Sequence, residues 1–234
     1  MTRLGPKRFL ARPKSVLCTS ERLAQDVPVL PEYTLPWLLS RSYARPLREI
    51  LALCKSVDEE TLRRHVPGTN TLAHDLWHVA RWADHLQSII SEMSPALTAR
   101  LGVRPEIWTV EELKNRWGMA GLDLGHVDTG FGMDEELAVT MPLPPTPELI
   151  EYAERAMAAA NEVVGGLTEE DLHHPAHVAQ ERSTWLDPGP ESRGLVFNWV
   201  LAYLRHDAEH VGAMRTLSHL LKAQGRQPDL SRQC

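Results

Sequence analysis

Apolar residues recur at helical spacing in four long segments of this chain. The first predicted helix covers about residues 35–57, and Pro46 inside it predicts a kink or a late start. Its apolar face consists of Leu38, Leu47, Ile50, Leu51 and Leu53. The second predicted helix begins after Asn70, a favourable N-cap, and ends near Met93. Its apolar positions are Leu72, Leu76, Val79, Ala83, Leu86 and Ile90.

The third and fourth predicted helices are separated from the first two by a long irregular stretch. The third begins at Thr146 and stops at Gly165, and the fourth covers about residues 193–224 and is closed by Gly225. Between the second and third helices we expect at most two short helical pieces, VEELKNRWGM and DEELAVT. No segment alternates convincingly as a strand does. The pattern predicts an all-α, antiparallel four-helix bundle with long crossover loops.

Length and composition limit the number and the extent of the domains. The chain has 234 residues and 43% hydrophobic content, which is enough for one sizeable core. Residues 1–34 have no sustained period and are expected to form an irregular N-terminal arm. We therefore expect the bundle domain to span residues 35–226, followed by a C-terminal tail at residues 227–234.

Charge and cysteine usage exclude several classes of partner. Because 31 acidic residues outweigh 25 basic ones and the basic ones are scattered, a nucleic-acid partner is disfavoured. The longest apolar stretch is about half of a membrane span, so no membrane segment is expected. The basic start lacks the apolar block of a secretory signal, although a transit peptide is an alternative. Together with three cysteines that follow no disulfide or metal spacing, this predicts a cytoplasmic protein.

Two histidines lie on the predicted apolar face of the fourth helix. At about 100° per residue, His206 and His210 fall in the middle of a stripe that contains Trp199, Ala202, Ala213, Leu217 and Leu220. Imidazoles at i and i+4 on one face can point at a common centre, a spacing typical of metal sites. The alternative is a pair of core histidines satisfied by polar neighbours. Glu209 and Asn198 flank the stripe, either to orient an imidazole or as exposed polar groups.

The second helix carries three histidines, of which one is the best placed to complete a site. His78 lies at the shoulder of the apolar stripe beside Asp75 and Trp82, whereas His74 and His85 fall further round on the polar side. A lone histidine here is more often structural. However, a histidine pair on the fourth helix needs a third ligand from across the bundle, and three protein ligands with an open position form a catalytic metal site.

Four sequence segments resemble the DinB/YfiT superfamily of metalloenzymes: NTLAHDLWHVARWADH, IWTVEELKNRWGM, DTGFGM and YLRHDAEHVGAMRTL. The resemblance covers most of residues 36–224. It implies that the ligands of a divalent metal are His78, His206 and His210. Two features depart from the family pattern: the first 35 residues have no counterpart, and His74 stands where a hydrophobic residue is more typical. His74 is therefore an alternative ligand or proton donor.

The resemblance also implies a class of chemistry. Better-understood members resemble transferases and isomerases that use a low-molecular-weight thiol such as mycothiol, bacillithiol or glutathione. Imidazole-only ligation suits several metals, and Zn or Ni fits a redox-silent role, with Fe as an alternative. We predict a metal-dependent enzyme that acts on a small molecule, most simply a thiol-dependent transferase or isomerase. The alternatives are a metal-dependent hydrolase of the same fold and a non-catalytic binding or assembly module, and a homodimer is plausible for either.

Further side chains are assigned candidate roles around the metal. Asp75, Glu209 and His74 are candidate catalytic bases. The residues predicted to line a cavity for substrate or thiol, with core packing as the alternative, are Trp77, Trp82, Trp199 and Tyr203. Trp108, Trp117 and the glycine-rich segment around Gly130 form either a lid over the metal or a purely structural crossover.

Overall fold

The structure is a computed structural model that describes residues 33–183 and 194–224. Within these ranges it contains no β-strand, a single turn of 3-10 helix at Gln180–Arg182, and ten α-helices. The helices are α1 (Leu35–Lys55), α2 (Glu59–Arg63), α3 (Leu72–Glu92), α4 (Pro95–Leu101), α5 (Ile107–Val110), α6 (Leu113–Arg116), α7 (Glu135–Thr140), α8 (Thr146–Gly165), α9 (Glu169–Leu172) and α10 (Val196–Gln224). The long helices α1, α3, α8 and α10 form the predicted four-helix bundle.

Most of the predicted arm (residues 1–32), the tail with the end signal Gly225, and the exact start of the fourth predicted helix at residue 193 lie outside the described residues. Cys18 and Cys234 lie there as well, whereas Cys54 is a buried free thiol in α1. Within the described ranges, no helix combines the length and the apolar character that crossing a membrane requires.

Helix ends follow local capping chemistry, with two corrections to the predictions. α3 is capped by Thr71, whose side chain accepts a hydrogen bond from the His74 backbone, and not by Asn70. Asn70 instead donates its side-chain amide to Asp75 Oδ1 at 3.0 Å. The late start predicted for the first helix is wrong, because α1 begins at Leu35 and continues through a buried Pro46.

The crossover between α3 and α8 contains four short helices, α4 to α7, and not two at most. The missed helix α4 begins directly after Ser94, whose side-chain oxygen accepts from Leu97 N at 3.1 Å. Pro95 occupies its first turn, where a proline sacrifices no hydrogen bond. Pro95 therefore begins a helix of its own as well as marking the end of α3, which is the only role that the sequence pattern predicts for it.

α3 and α10 pack against each other in opposite directions. Asp75 near the start of α3 lies beside His210, and His78, one turn later, faces His206, which precedes His210 on α10. Residues that lie one turn apart on α10 therefore surround the same turn of α3. This antiparallel contact is what brings histidines from two helices to one place.

α3 and α8 run in the same direction. Tyr152 near the start of α8 donates to Asp84, and Arg104 bridges Gln87 and Glu162 further along both helices. A helix of about 20 residues is about 30 Å long, so the chain must return along the whole bundle before α8 can begin. The long crossover is the consequence of this direction, and it passes the histidines on its way.

The buried surfaces of the helices differ from those predicted by periodicity. α3 is buried from Leu72 to Ser91 without a polar face, because other elements surround it. His74 and His85 were expected on a polar side, yet they are only 4% and 0% exposed. In α1, the predicted face residue Leu38 is 46% exposed because the buried face passes through Leu39 instead.

α10 is rotated relative to its predicted stripe. Leu220 is 45% exposed and Ala213 also faces outward, whereas Tyr203, Asp207 and Met214 are fully buried. His206 and His210 therefore lie at the edge of the buried face and not at its centre. This edge is where a pocket can reach them.

Candidate metal centre

Three histidines from two helices meet inside the bundle. One ring nitrogen from each of His78, His206 and His210 lies within 4.8 Å of the others. Nε2 of His78 and Nε2 of His206 are 2.9 Å apart. Three nitrogens bound to one metal at about 2.1 Å lie roughly 3–3.5 Å from one another. A small adjustment of the rings would reach that geometry, so the cluster could hold one metal ion.

Burial keeps the three imidazoles neutral. His78 and His206 are buried, and His210, with 21% of its side chain exposed, is the most accessible of the three. Burial lowers the pKa of His206 to about 3. Burial and the neighbouring imidazoles lower the pKa of both His78 and His210. Neutral imidazole is the form that binds a metal, so the protonation state is the one a ligand needs.

The ring of His78 is oriented by a carbonyl from the crossover. Its Nδ1 donates to the backbone oxygen of Thr129, which leaves the Nε2 lone pair directed at the cluster. The next residue, Gly130, has a φ of 87°, and a Cβ built there would lie 2.7 Å from His78 Nδ1 and 3.0 Å from Trp77 Cζ3. Only glycine allows the chain to approach His78 this closely.

His206 is oriented by its neighbour in the sequence. His206 Nδ1 donates to Asp207 Oδ1 at 2.9 Å, so its Nε2 also faces the cluster. Asp207 is fully buried, and burial raises the pKa of its carboxyl well above the usual value. Asp207 lies off the stripe that periodicity predicts for α10, so it was not among the predicted site residues. The apolar residues at Tyr203, Met214 and Leu221 would have identified the correct face.

The third ring, His210, has an unsatisfied atom. Its Nδ1 is buried and has no hydrogen-bond partner among the described residues. The nearest carboxylate oxygen recorded for it, Asp75 Oδ1, is 3.9 Å away, beyond hydrogen-bond distance. A buried polar atom of this kind carries a free-energy penalty unless a ligand or water satisfies it.

The candidate bases occupy three different environments. Asp75 is buried and lies close to two rings, 3.5 Å from His74 Nδ1 and 3.9 Å from His210 Nδ1. His74 stacks on His78 with ring centroids 5.9 Å apart, and neither of its ring nitrogens has a hydrogen-bond partner among the described residues. Glu209 is 71% exposed and pairs with Arg205, which favours the exposed-polar alternative for it, while its charge still raises the pKa of His206 against the effect of burial.

The predicted aromatic residues form a wall behind the histidines. Trp82 stacks on His206 at 4.1 Å between ring centroids and contacts His78 and Tyr203 edge-on. Trp77 packs against His74 at 5.6 Å, and Trp199 is buried on α10. None of the four lines the open pocket beside the histidines, because they point into the bundle core. Their contacts favour the packing alternative.

A pocket of about 780 Å³ opens beside His210 and Asp75. Its walls come from the segment between α2 and α3, from α7 and from the outer edge of α10. This volume is within the usual range for small-molecule sites. The pocket gives the histidine cluster a route to solvent.

A second polar cluster, missed from the sequence, lies one turn further along α3. The guanidinium of Arg81 is fully buried and donates to Glu106 at 2.8 Å, Asp84 at 3.2 Å and the Tyr152 hydroxyl at 3.3 Å. Burial alone would lower the pKa of Arg81. The electrostatic interactions with Tyr152, Glu106 and Asp84 are larger in sum, so the pKa of Arg81 is raised. Burial alone would raise the pKa of Glu106, but the hydrogen bonds and charges of His85 and Arg81 lower it to about 2.

Arg81 also holds the part of the crossover that touches His78. It donates to the carbonyls of Asp128 at 2.9 Å and Val127 at 3.2 Å. Both residues have positive φ, 53° and 46°, which is strained for a side chain and needs such support. Thr129 follows directly, so the arginine fixes the position of the carbonyl that orients His78.

The predicted lid is part of the structural core. Trp108 and Trp117 are buried, pack against each other at 5.5 Å, and both contact Tyr152 of α8. Arg81 lies over the Trp108 ring at 4.8 Å. These contacts favour the structural alternative for both tryptophans. Of the proposed lid, Gly130 approaches the histidines most closely.

Comparison with known proteins adds a family and a fold. A family model described as the DinB superfamily matches residues 43–214, well over half of the 234 residues. A search of curated proteins found no match. The chain is similar to a crystal structure of a conserved protein from Enterococcus faecalis, with 16% identity and a TM-score of 0.59 over 82% of this chain and 99% of that one. At this identity the likeness concerns the fold alone.

Proposed function

The chain belongs to the DinB superfamily, and from this premise we propose that it is a metal-dependent enzyme acting on a small molecule. The proposed ligands are His78, His206 and His210. The supporting observation is that three neutral imidazoles face one another within 4.8 Å at the edge of a pocket. Two of these rings are held by hydrogen bonds on the far nitrogen, and a buried nitrogen of the third lacks a partner.

Thiol chemistry is the favoured activity, with transfer or isomerisation as its outcome. A divalent ion on three neutral imidazoles would supply Lewis acidity and lower the pKa of a coordinated thiol or water towards neutrality. Thr129 and Asp207 would keep two imidazoles in the ligating tautomer, and the wall of Trp82 would exclude water behind them. Zn or Ni fits this redox-silent role, and Fe is the alternative.

A metal-dependent hydrolase is the second candidate, and Asp75 is the observation that favours it. Its carboxylate lines the pocket and lies 3.9 Å from His210 Nδ1. From there it could accept a proton from a water molecule in the pocket. The two candidates share the histidine centre and differ in the nucleophile.

The first test is metal analysis of the protein purified without an affinity tag. We expect about one divalent ion per chain in the native protein. We expect its loss in His206→Ala and His210→Ala. His219→Ala is the matched control, because His219 is an exposed histidine on the same helix. Metal-free native protein, or equal metal content in all four proteins, would refute the centre and favour a binding or assembly module.

The second test separates the two activities on the metal-loaded protein. Electrophiles are offered with a panel of low-molecular-weight thiols, and ester and amide substrates are offered without a thiol. Turnover that requires both thiol and metal supports the transferase or isomerase. Turnover without thiol that is lost in Asp75→Asn supports the hydrolase.

A further inference from the structure

The pocket beside His210 has an unusual charge balance. Three carboxylates line it: Asp75 at its inner end and Glu135 and Glu136 from the first turn of α7. No lysine or arginine is among its lining residues, and its basic side chains are the imidazoles of His65 and His210. No ion pair to Glu135 or Glu136 occurs between residues that the structure describes. The pocket therefore has a negative potential.

The position of the two glutamates is built into the fold. Asp134 caps α7 by accepting hydrogen bonds from the backbone of Glu136 and Leu137 at 3.0 Å. This cap starts the helix at Glu135, so that both carboxylates project from its first turn next to the pocket. Their negative charges add to that of Asp75, and no lysine or arginine in the pocket lining compensates them.

The opposite wall of the pocket is apolar. It includes Ala213, Leu217 and Leu220 of α10, and Val139 of α7 adds an apolar side chain on the side of the glutamates. The exposure of Leu220, which is unexpected for a leucine on a core helix, is explained by its place in this wall. An apolar wall and a negative lining together suit a molecule with a hydrocarbon part and a positive group.

We propose that this pocket selects a small amphipathic co-substrate that carries an amine, and that it discriminates against molecules that carry a carboxylate. The inference rests on the proposed function, because the donor atom of the molecule would reach the histidine centre past His210. His210 lines this end of the pocket, and its buried Nδ1 has no hydrogen-bond partner among the described residues, which supports a ligand here. Applied to thiols, the proposal favours amino thiols over carboxylate-bearing ones such as glutathione.

The size of the effect follows from simple electrostatics. The glutamates are exposed to solvent, so salt screens them with a Debye length of about 8 Å at physiological ionic strength. Exchanging an amine for a carboxylate at a similar distance from three carboxylates should change affinity about five- to tenfold at low salt. The preference should shrink as salt is added.

The test uses cobalt-loaded protein and three thiols of similar size. The thiols are cysteamine, 2-mercaptoethanol and mercaptoacetate, which carry a positive, no and a negative charge. Dissociation constants are measured from the cobalt–thiolate absorption at low and high ionic strength. The thiols differ in intrinsic affinity for the metal. For each protein we therefore take the ratio of the dissociation constant of cysteamine to that of mercaptoacetate. This ratio is then compared between each variant and the native protein.

The informative variant is Glu135→Gln/Glu136→Gln, and its matched control is Glu169→Gln/Glu170→Gln. Glu169 and Glu170 are likewise exposed acids in the first turn of a short helix, but they do not line the pocket. We expect the preference for cysteamine to fall about two- to fivefold in the first variant, since Asp75 retains its charge, and to stay unchanged in the control. Equal ratios in both variants overturn the charge selection and leave the metal centre intact. Native protein that binds no cobalt, or binds it as well as His206→Ala does, overturns both proposals.

Discussion

Two polar clusters lie one turn apart on α3, and they differ in how well their atoms are satisfied. Around Arg81, the guanidinium donates to two carboxylates, a hydroxyl and two carbonyls. Around His78, two ring nitrogens face each other at 2.9 Å, and His210 Nδ1 and both nitrogens of His74 have no hydrogen-bond partner among the described residues. Buried polar groups are normally satisfied, so the first cluster has the character of structure and the second that of a site for a ligand.

The hydrogen-bonded cluster around Arg81 also supports the histidine cluster around His78. Arg81 holds the strained backbone at Val127 and Asp128, and the next carbonyl, that of Thr129, orients His78. The histidine cluster therefore depends on a charge that never touches it. Three experiments separate these two roles.

The largest effect is expected from Arg81→Leu. The substitution leaves the fully buried carboxylate of Asp84 without its cation, which typically costs about 3–5 kcal/mol of unfolding free energy, whereas Glu106 keeps its contacts with Arg182 and His85. Urea unfolding followed by circular dichroism measures this loss. Arg155→Leu is the control, because Arg155 makes an exposed ion pair with Glu111 and should cost less than about 1 kcal/mol. Similar losses in both variants would contradict a special role for Arg81.

A smaller effect is expected where the crossover meets His78. Gly130→Ala and Gly132→Ala both place a side chain at positive φ, 87° and 74°, but only the first brings a Cβ within 4 Å of other atoms. We expect Gly130→Ala to lose about 1–3 kcal/mol more than Gly132→Ala, because its Cβ displaces His78. The same variant should bind metal more weakly than Gly132→Ala in a chelator competition. Indistinguishable variants would show that the contact with His78 is unimportant.

A third effect is expected in the pH dependence of the stability of metal-free protein. Because the pKa of His206 is about 3 in the fold, below the ordinary value of 6.5, the stability it contributes is present above pH 6.5 and is lost as the pH falls towards 3. The loss is about 1.4 kcal/mol per pH unit for this group. His78 and His210 act in the same sense, and Asp207, whose pKa is raised, acts in the opposite one.

Unfolding of chelated His206→Gln between pH 6.5 and 5 isolates this contribution. The slope of stability against pH should fall by about 1.4 kcal/mol per unit relative to native protein. His219→Gln, at an exposed position on the same helix, should keep the native slope. An unchanged slope in His206→Gln would mean that His206 is not buried as a neutral ring.

The sequence predicted the four long helices and the histidine pair on α10 because both follow from short-range spacing, whereas His78 was selected mainly by the family resemblance. The bounds of α8 and the HxxxH pair on α10 are examples. What spacing could not predict is the rotation of α10, since its apolar residues are spread around the helix and Asp207 was overlooked. Periodicity also fails for α3, which is buried all round, so it gives no reason to single out Arg81.

No sequence pattern predicts the contact of Thr129 with His78, because any residue can supply a backbone carbonyl. Gly130 was noticed, but only as part of a lid. Its requirement for glycine depends on how closely the loop approaches α3, which tertiary structure alone determines.

The shared direction of α3 and α8 has a consequence for how the protein is made. His78 and His206 are separated by 128 positions in the sequence, and the return segment that orients His78 must be synthesised between them. Contacts at such separation form late, because closing the intervening loop costs entropy before any contact repays it. On the ribosome, most of the chain must therefore emerge before the imidazole of His78 meets its neighbours on α10.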